Sequence, residues 1–242
     1  ARHLLRAVAQ AKAEVQREKA SKDIIAKAEE GLKDAAVEFD ATHPKLAAIV
    51  VAHCGQPNDG EAAVRPIKAF GAPLLDTVGP MTYCELNSMM DAGYPKGALN
   101  YWKSHFLDDL SDETIRTLVD SYAKCPSPMG EILLELFHGA ATRIPVEETA
   151  FALRSPGFNL LVLSQWIDPS DNDRCIAWAR ETYAAMQPFV GSGRYVNYLD
   201  HDEPGDPTAA AYGPNYPRLR ELKAKYDPEN FFHVNQNIRT LA

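Results

Sequence analysis

The sequence predicts an α+β fold, an antiparallel sheet backed by helices, with an extra helical segment at its N-terminal end. Three observations predict it. Short runs suited to strands, over 98–106, 131–138 and 159–166, are separated by stretches with helical spacing. Several of these strands carry polar or aromatic residues on alternate positions, as a sheet does when one face meets helices and the other a solvent or ligand surface. Turn residues such as Gly79-Pro80 and a polar loop over 200–207 punctuate the chain between them.

The elements follow in order. Residues 1–38 are rich in Ala, Lys, Glu and Gln, all good helix formers, with Ile24, Ile25, Ala28 and Leu32 near helical spacing. Two helices or one long kinked helix over 2–38 are expected. Leu46–Ala52 is a short apolar run with β-branched residues and reads as a buried strand. Helices are expected over 60–70 and 82–91, the first capped by Asn58-Asp59-Gly60. The segment Asp112–Ala123 places Ile115, Leu118, Val119 and Tyr122 on one helical face, and Asp171–Met186 reads as a second amphipathic helix. A short strand over Arg194–Leu199 and a final helix over 208–225 complete a sheet of four or five strands.

Composition excludes some functions. A net charge of -8 opposes nucleic acid or an anionic membrane as partner, because both require a positive field. No run reaches the ~18 apolar residues of a membrane span, and no signal-peptide pattern opens the chain, so a cytoplasmic protein is expected. The four cysteines lack the spacing of a metal knuckle or redox pair and read as reduced, mostly buried thiols; no metal is expected.

The tail carries the most specific signal. Lys223-Ala224-Lys225-Tyr226-Asp227-Pro228-Glu229-Asn230-Phe231-Phe232 runs on to Asn235-Gln236-Asn237, and upstream lies Tyr195-Val196-Asn197-Tyr198 followed by acidic residues. Asp227-Pro228 forces an extended step that must end the preceding helix, Asn230 tolerates a tight turn, and Phe231 and Phe232 can anchor that turn in a core. Three amides at 235–237 can hydrogen-bond the edge of a flat heterocycle, or equally pair with backbone on an edge strand. In fixed order these residues resemble the closing segment of berberine-bridge-enzyme-like flavoproteins. Gly79-Pro80-Met81 with Tyr83, Asn100–Ser104, and Asn159–Trp166 with Ile176–Ala179 resemble the family's substrate region, in its bacterial branch. The resemblance covers roughly 46–240 and leaves the Lys/Glu-rich start outside it.

The resemblance implies an FAD-dependent oxidoreductase that oxidises a hydroxylated substrate, a sugar or secondary metabolite, by hydride transfer to flavin N5. It also implies that the flavin is held mainly by a domain or chain not contained here: the 14 glycines are scattered and form no cluster able to wrap a pyrophosphate. The expected organisation is a helical segment over 1–40, a substrate domain over 41–192, and a segment over 193–242 that completes the flavin-binding domain. Tyr195 and Tyr198 are the expected catalytic residues, and Lys103, His105 and Tyr101 the substrate-binding ones. Asn197, Asn235, Gln236 and Asn237 are expected to contact the flavin. Structural roles stay open for each, as does a position for Glu135 facing the cavity. Where plant relatives place a carboxylate or amide, this chain has Leu161 or Leu163, which is inert. A stand-alone ligand-binding or scaffold module without flavin chemistry is the alternative, and homo-oligomerisation stays open.

Overall fold

A strand whose residues are apolar on both faces must sit at the centre of a sheet that is covered on both sides. Gly157–Trp166 is such a strand: all ten of its residues are buried. The computed structural model describes residues 45–234 and 236–240, and the expected helices over 2–38 and the amide of Asn235 lie outside them. In chain order the main elements are α1 (Pro57–Lys68), α2 (Tyr83–Ser88), β1 (Leu99–Leu107), α3 (Asp112–Ala123), β2 (Glu131–Phe137), β3 (Gly157–Trp166), α4 (Asn172–Ala185), α5 (Pro207–Tyr212) and α6 (Tyr216–Tyr226).

The sheet has the order β1-β3-β2, antiparallel throughout, with Tyr101 opposite Ser164, Lys103 opposite Val162, and Glu135 opposite Asn159. Because side chains alternate across a strand, each strand divides its residues between two faces. One face carries Tyr101, Leu107, Ile132, Leu134, Phe158, Leu160, Val162 and Trp166 into a core shared with Leu118, Tyr122, Cys175, Trp178 and Ala179 of α3 and α4. The Trp178 indole N–H donates to the Ser121 carbonyl at 2.8 Å and ties the two helices together. The other face carries Asn100, Trp102, Ser104, Phe106, Glu135, Asn159, Leu161 and Leu163.

Local chemistry sets the helix ends. Ser111 caps α3 by accepting from the Thr114 N–H at 3.1 Å, and Thr82 with Glu85 forms a capping box on α2. The helix expected over 60–70 begins at Pro57, and its N-cap is Gln56 rather than Asn58-Asp59-Gly60, which lie inside the helix, because Pro57 fits the first turn, where no N–H is required. The single helix expected over 208–225 is divided at Gly213-Pro214 into α5 and α6.

Several expectations are corrected. Leu46–Ala52 forms no strand: the segment is half-exposed and pairs only through an isolated bridge at Ala47, because apolar content alone does not supply a strand to run beside. Arg194–Leu199 is not a strand either, since the Tyr198 N–H turns back on the Tyr195 carbonyl at 3.0 Å in a short 3-10 turn. The sheet among the described residues therefore has three strands. Of the thiols, Cys175 is buried and Cys125 half-buried, its thiol pushed up to about 11 chiefly by burial, whereas Cys54 and Cys84 are exposed.

One close approach locks the edge of the sheet. A Cβ at Gly157 would lie 2.4 Å from the Leu107 carbonyl oxygen and 2.7 Å from the Phe106 ring. Gly157→Ala is expected to destabilise the protein by about 1–3 kcal/mol, read as a lower urea midpoint with unchanged slope.

Candidate active site

After α4 the chain wraps around the free edge of β1. Val190 bridges Leu107, and the Gly191 N–H donates to the Phe106 carbonyl at 2.8 Å. From there a strap over 190–203 sends side chains to both faces of the sheet.

On the face away from α3 and α4, the strap contributes Tyr195, Asn197 and Tyr198. The Ser104 hydroxyl of β1 donates to the Tyr198 carbonyl at 2.9 Å, which fixes that residue over the sheet. The Tyr198 hydroxyl then reaches β2, donating to Glu135 Oε1 at 3.1 Å, while the Asn159 amide of β3 donates to Glu135 Oε2 at 2.9 Å. All three strands thus contribute to one polar cluster. Tyr195 packs edge-on against Tyr198 with ring centroids 4.9 Å apart, and the Asn197 amide donates to the Tyr195 hydroxyl at 2.8 Å. A run of rings, Phe106, Phe137, Phe151 and Tyr195, walls this end, and Tyr94 against Trp102 lies at the other.

The electrostatics of the cluster are one-sided. Burial, and then the Glu135 charge, push the Tyr198 phenol well above its ordinary value. At neutral pH Tyr198 is a hydroxyl that donates to a carboxylate, and a free phenolate is not populated.

The other expected residues lie elsewhere. Lys103, His105 and Tyr101 occupy alternate positions of β1 that face α4, on the opposite side of the sheet from Tyr198. There Lys103, only 5% exposed, pairs with Asp202 and with Glu203 at 3.1 Å. The Tyr101 hydroxyl donates to Asp202 at 2.5 Å, Arg180 bonds both, and Arg194 meets Glu203 at 3.2 Å. His105 stacks on Tyr183 with centroids 5.1 Å apart, and burial followed by the Arg194 charge lowers it to about 4, so it is neutral at pH 7. Burial alone would raise Asp202, but hydrogen bonds from Lys103, Tyr101 and Arg180 outweigh it and hold the carboxyl well below its usual range. A folded-state value below the unfolded one adds stability above about pH 4 that is lost as the pH falls. Thermal midpoints of the wild type and Asp202→Asn are therefore expected to differ at pH 7 and to draw together only progressively as the pH falls below ~4, because the folded-state carboxyl protonates well below that.

At the C-terminal end, α6 stops at Tyr226, and Asn230 adopts a positive φ of 54°, as the turn requires. Phe231 and Phe232 do not enter a core. They are 77% and 74% exposed, and the turn is held instead by Asp227, which accepts from their backbone N–H groups at 2.7 and 3.0 Å. The Gln236 amide donates to the Leu199 carbonyl at 3.1 Å, so it also secures the strap. The Asn237 side-chain oxygen is buried with no hydrogen-bond partner, a group suited to a donor on a bound heterocycle. Among the described residues, no group of His, Cys, Asp or Glu is placed to hold a metal ion, and no helix is long and apolar enough to cross a membrane.

Asn159 was not separable from ordinary strand residues by sequence, and Glu135 was marked there only as a strand residue that can face the cavity. Their spacing places them on one face of adjacent strands, but only the register that sets them opposite each other brings them together.

The described residues thus form a helix-backed antiparallel sheet with a tyrosine-bearing strap over one face and an amide-rich closing segment. The family model for berberine and berberine-like proteins matches residues 194–239, which hold the strap, α5, α6 and the closing turn. An FAD-linked oxidoreductase of Dictyostelium discoideum is 29% identical over 203 residues, covering 82% of this chain and 43% of the relative. Another, from Bacillus subtilis, is 31% identical over 180 residues, covering 72% and 40%. Among solved structures, the wild-type berberine-bridge-enzyme-like protein 1 of Physcomitrella patens superposes with a TM-score of 0.60 at 20% identity, over 78% of this chain and 43% of that one, a likeness of fold. The chain carries the berberine and berberine-like segment over residues 194–239 and resembles the C-terminal part of these proteins. It spans about two fifths of the length of the curated relatives it matches.

Proposed function

We propose that this chain is the C-terminal, substrate-facing part of an FAD-dependent oxidoreductase that oxidises a hydroxylated substrate, a sugar or a secondary metabolite. The observation that carries this reading is the Tyr198 hydroxyl held on the Glu135 carboxylate, over a sheet face walled by aromatic rings. The flavin, when bound, supplies a two-electron acceptor for the hydride leaving the substrate carbon.

The chain's own part is the proton. A phenol held above its ordinary pKa is a poor free base, but it can accept at its oxygen while its own proton passes to a carboxylate. Tyr198 Oη takes the substrate hydroxyl proton as Glu135 Oε1 takes that of Tyr198. Tyr195, set edge-on and held by Asn197, orients the substrate against Tyr198. The orphaned oxygen of Asn237 supports a flavin at the closing segment, with Asn235 and Gln236 preceding it in sequence and Asn197 on the strap as the other candidate contacts.

The division of the chain into a helical segment over 1–40, a substrate domain over 41–192 and a flavin-completing segment over 193–242 forms part of the proposal. The remaining flavin-holding portion is the expected partner. The exposure of Phe231, Phe232 and Val234, and of Leu74, Leu75 and Tyr83, supports a covering surface of that kind. Lys103, His105 and Tyr101 are reassigned from substrate contact to the support of the strap, because they face α4.

In the whole oxidoreductase, Tyr195→Phe and Tyr198→Phe are each expected to slow flavin reduction by about 10²–10⁴-fold, with the absorbance of the bound flavin intact. Reduction at wild-type rates in both variants would end the catalytic reading.

A further inference from the structure

Among the described residues, the strap that presents Tyr195 and Tyr198 has no strand pairing of its own beyond the bridge at Val190, and 3-10 turns of this length are weak. Something else must hold it. Five residues beyond Tyr198, the chain crosses to the α4 side of the sheet and buries Glu203, whose side chain is 2% exposed. A buried carboxylate is costly unless it is paired. Here it accepts from Lys103 Nζ at 3.1 Å, Arg194 at 3.2 Å and the Tyr183 hydroxyl at 3.2 Å. Asp202 beside it is gripped by Lys103, Tyr101 and Arg180.

Among the described residues, Lys103 alone touches both carboxylates. Its ammonium also lies 5.5 and 5.6 Å from the centroids of the Tyr101 and Tyr183 rings, within cation–π range. On the same strand the next residue, Ser104, points to the other face and holds the Tyr198 carbonyl. Two consecutive residues of β1 therefore grip the strap from opposite sides of the sheet, one before the crossing and one after it.

We propose that Lys103 is a positioning residue: it locks the strap around the edge of β1 through Asp202 and Glu203, and so holds Tyr198 in register with Glu135 across the sheet. The role rests on the reading of Tyr195 and Tyr198 as site residues, and it requires no contact between Lys103 and substrate. It makes α4 part of the site's support through Arg180 and Tyr183, although α4 lies on the opposite face.

The test uses the full chain and needs neither flavin nor substrate. Amide exchange is measured over 195–203, with β3 as internal reference, in Lys103→Met, Asp202→Asn and Lys103→Arg. Lys103→Met is expected to speed exchange of the strap roughly a hundredfold, and Asp202→Asn about tenfold, while β3 keeps its protection. Lys103→Arg, which keeps the charge, is expected to restore most of the protection. Tyrosine titration reads the site by difference: release of the strap frees Tyr198 along with Tyr101 and Tyr183, which also lose their partners on the strap, so Lys103→Met should titrate one more tyrosine at ~10 than Lys103→Met/Tyr198→Phe does. That tyrosine must be missing from the Lys103→Met/Tyr198→Phe double variant.

Strap exchange at the wild-type rate, or β3 losing protection to the same degree, would overturn the positioning role, and so would identical tyrosine titrations of Lys103→Met and the double variant. If Lys103→Met does not fold, Asp202→Asn carries the same decision, because Asp202 is partly exposed and Lys103 keeps Glu203. The reading of the tyrosines as site residues fails separately, when Tyr195→Phe and Tyr198→Phe leave flavin reduction unchanged.

Discussion

Phe158→Ala is expected to lower folding stability by about 3–5 kcal/mol, among the largest effects of any single truncation in this chain. Phe158 is 2% exposed and lies on the central strand, opposite Leu107 on one side and Leu136 on the other. Its ring packs in the core that joins the sheet to α3 and α4. Removing it leaves a cavity bordered by three elements that are fixed by ladder hydrogen bonds and by the Trp178–Ser121 bond, so the site cannot collapse to fill it. The lost transfer energy and the cavity cost therefore add. For a chain of this length the thermal midpoint should fall by roughly 10 °C, at about 2–4 °C per kcal/mol. A urea titration should show a lower midpoint and unchanged slope. Leu74→Ala is the control: Leu74 is 84% exposed, and its truncation should stay within about 0.5 kcal/mol. A loss under ~1 kcal/mol for Phe158→Ala would mean that the core is centred elsewhere.

The same strand shows what a sequence can and cannot disclose. The apolar run ending in Gln165-Trp166 marks β3 because its length and β-strand composition are local properties, and the spacing of Leu118 and Tyr122, or of Cys175, Trp178 and Ala179, marks α3 and α4 for the same reason. Leu46–Ala52 has the same local signature without a pairing neighbour among the described residues, so composition there misleads. Arg194–Leu199 looks like a strand because tyrosines and valine favour one. Its backbone turns instead, since its hydrogen bonds go to Ser104 and, through Gln236, to the closing segment. The tail was readable as a motif, yet Phe231 and Phe232 lie in solvent because Asp227 satisfies the turn without them.

The site was half legible for a related reason. Tyr195, Asn197 and Tyr198 are adjacent in sequence and stay together in space. Lys103, His105 and Tyr101 are correctly grouped with one another, but alternation alone does not say which face of β1 meets the helices. That face was settled by partners far along the chain: Asp202 and Glu203 for Lys103, and Tyr183 for His105. Glu135 is a further example, since its partners Asn159 and Tyr198 belong to another strand and to the strap. A charged residue on a strand is common, and only these contacts distinguish this one.

Glu135→Gln is the substitution expected to alter the chemistry most while preserving the fold. Gln is nearly isosteric, so the Tyr198 hydroxyl keeps an acceptor and Asn159 can keep a bond after an amide rotation. What is lost is the charge. The Tyr198 phenol, raised by burial first and by Glu135 second, should then titrate lower than in the wild type while staying above ~10, because burial persists. The sign matters: a lower phenol pKa would make Tyr198 a better free base, so a mechanism using the phenolate alone predicts faster or unchanged flavin reduction at neutral pH. A mechanism in which Glu135 receives the proton predicts the reverse, a loss of about 10²–10⁴-fold in the whole oxidoreductase. In that case Glu135→Gln and Tyr198→Phe act on one unit, and the double variant should be little worse than either single one. Tyrosinate absorbance on the 242-residue chain checks the first half of the argument. Stopped-flow reduction of the three variants checks the second, and additive losses would separate Glu135 from Tyr198.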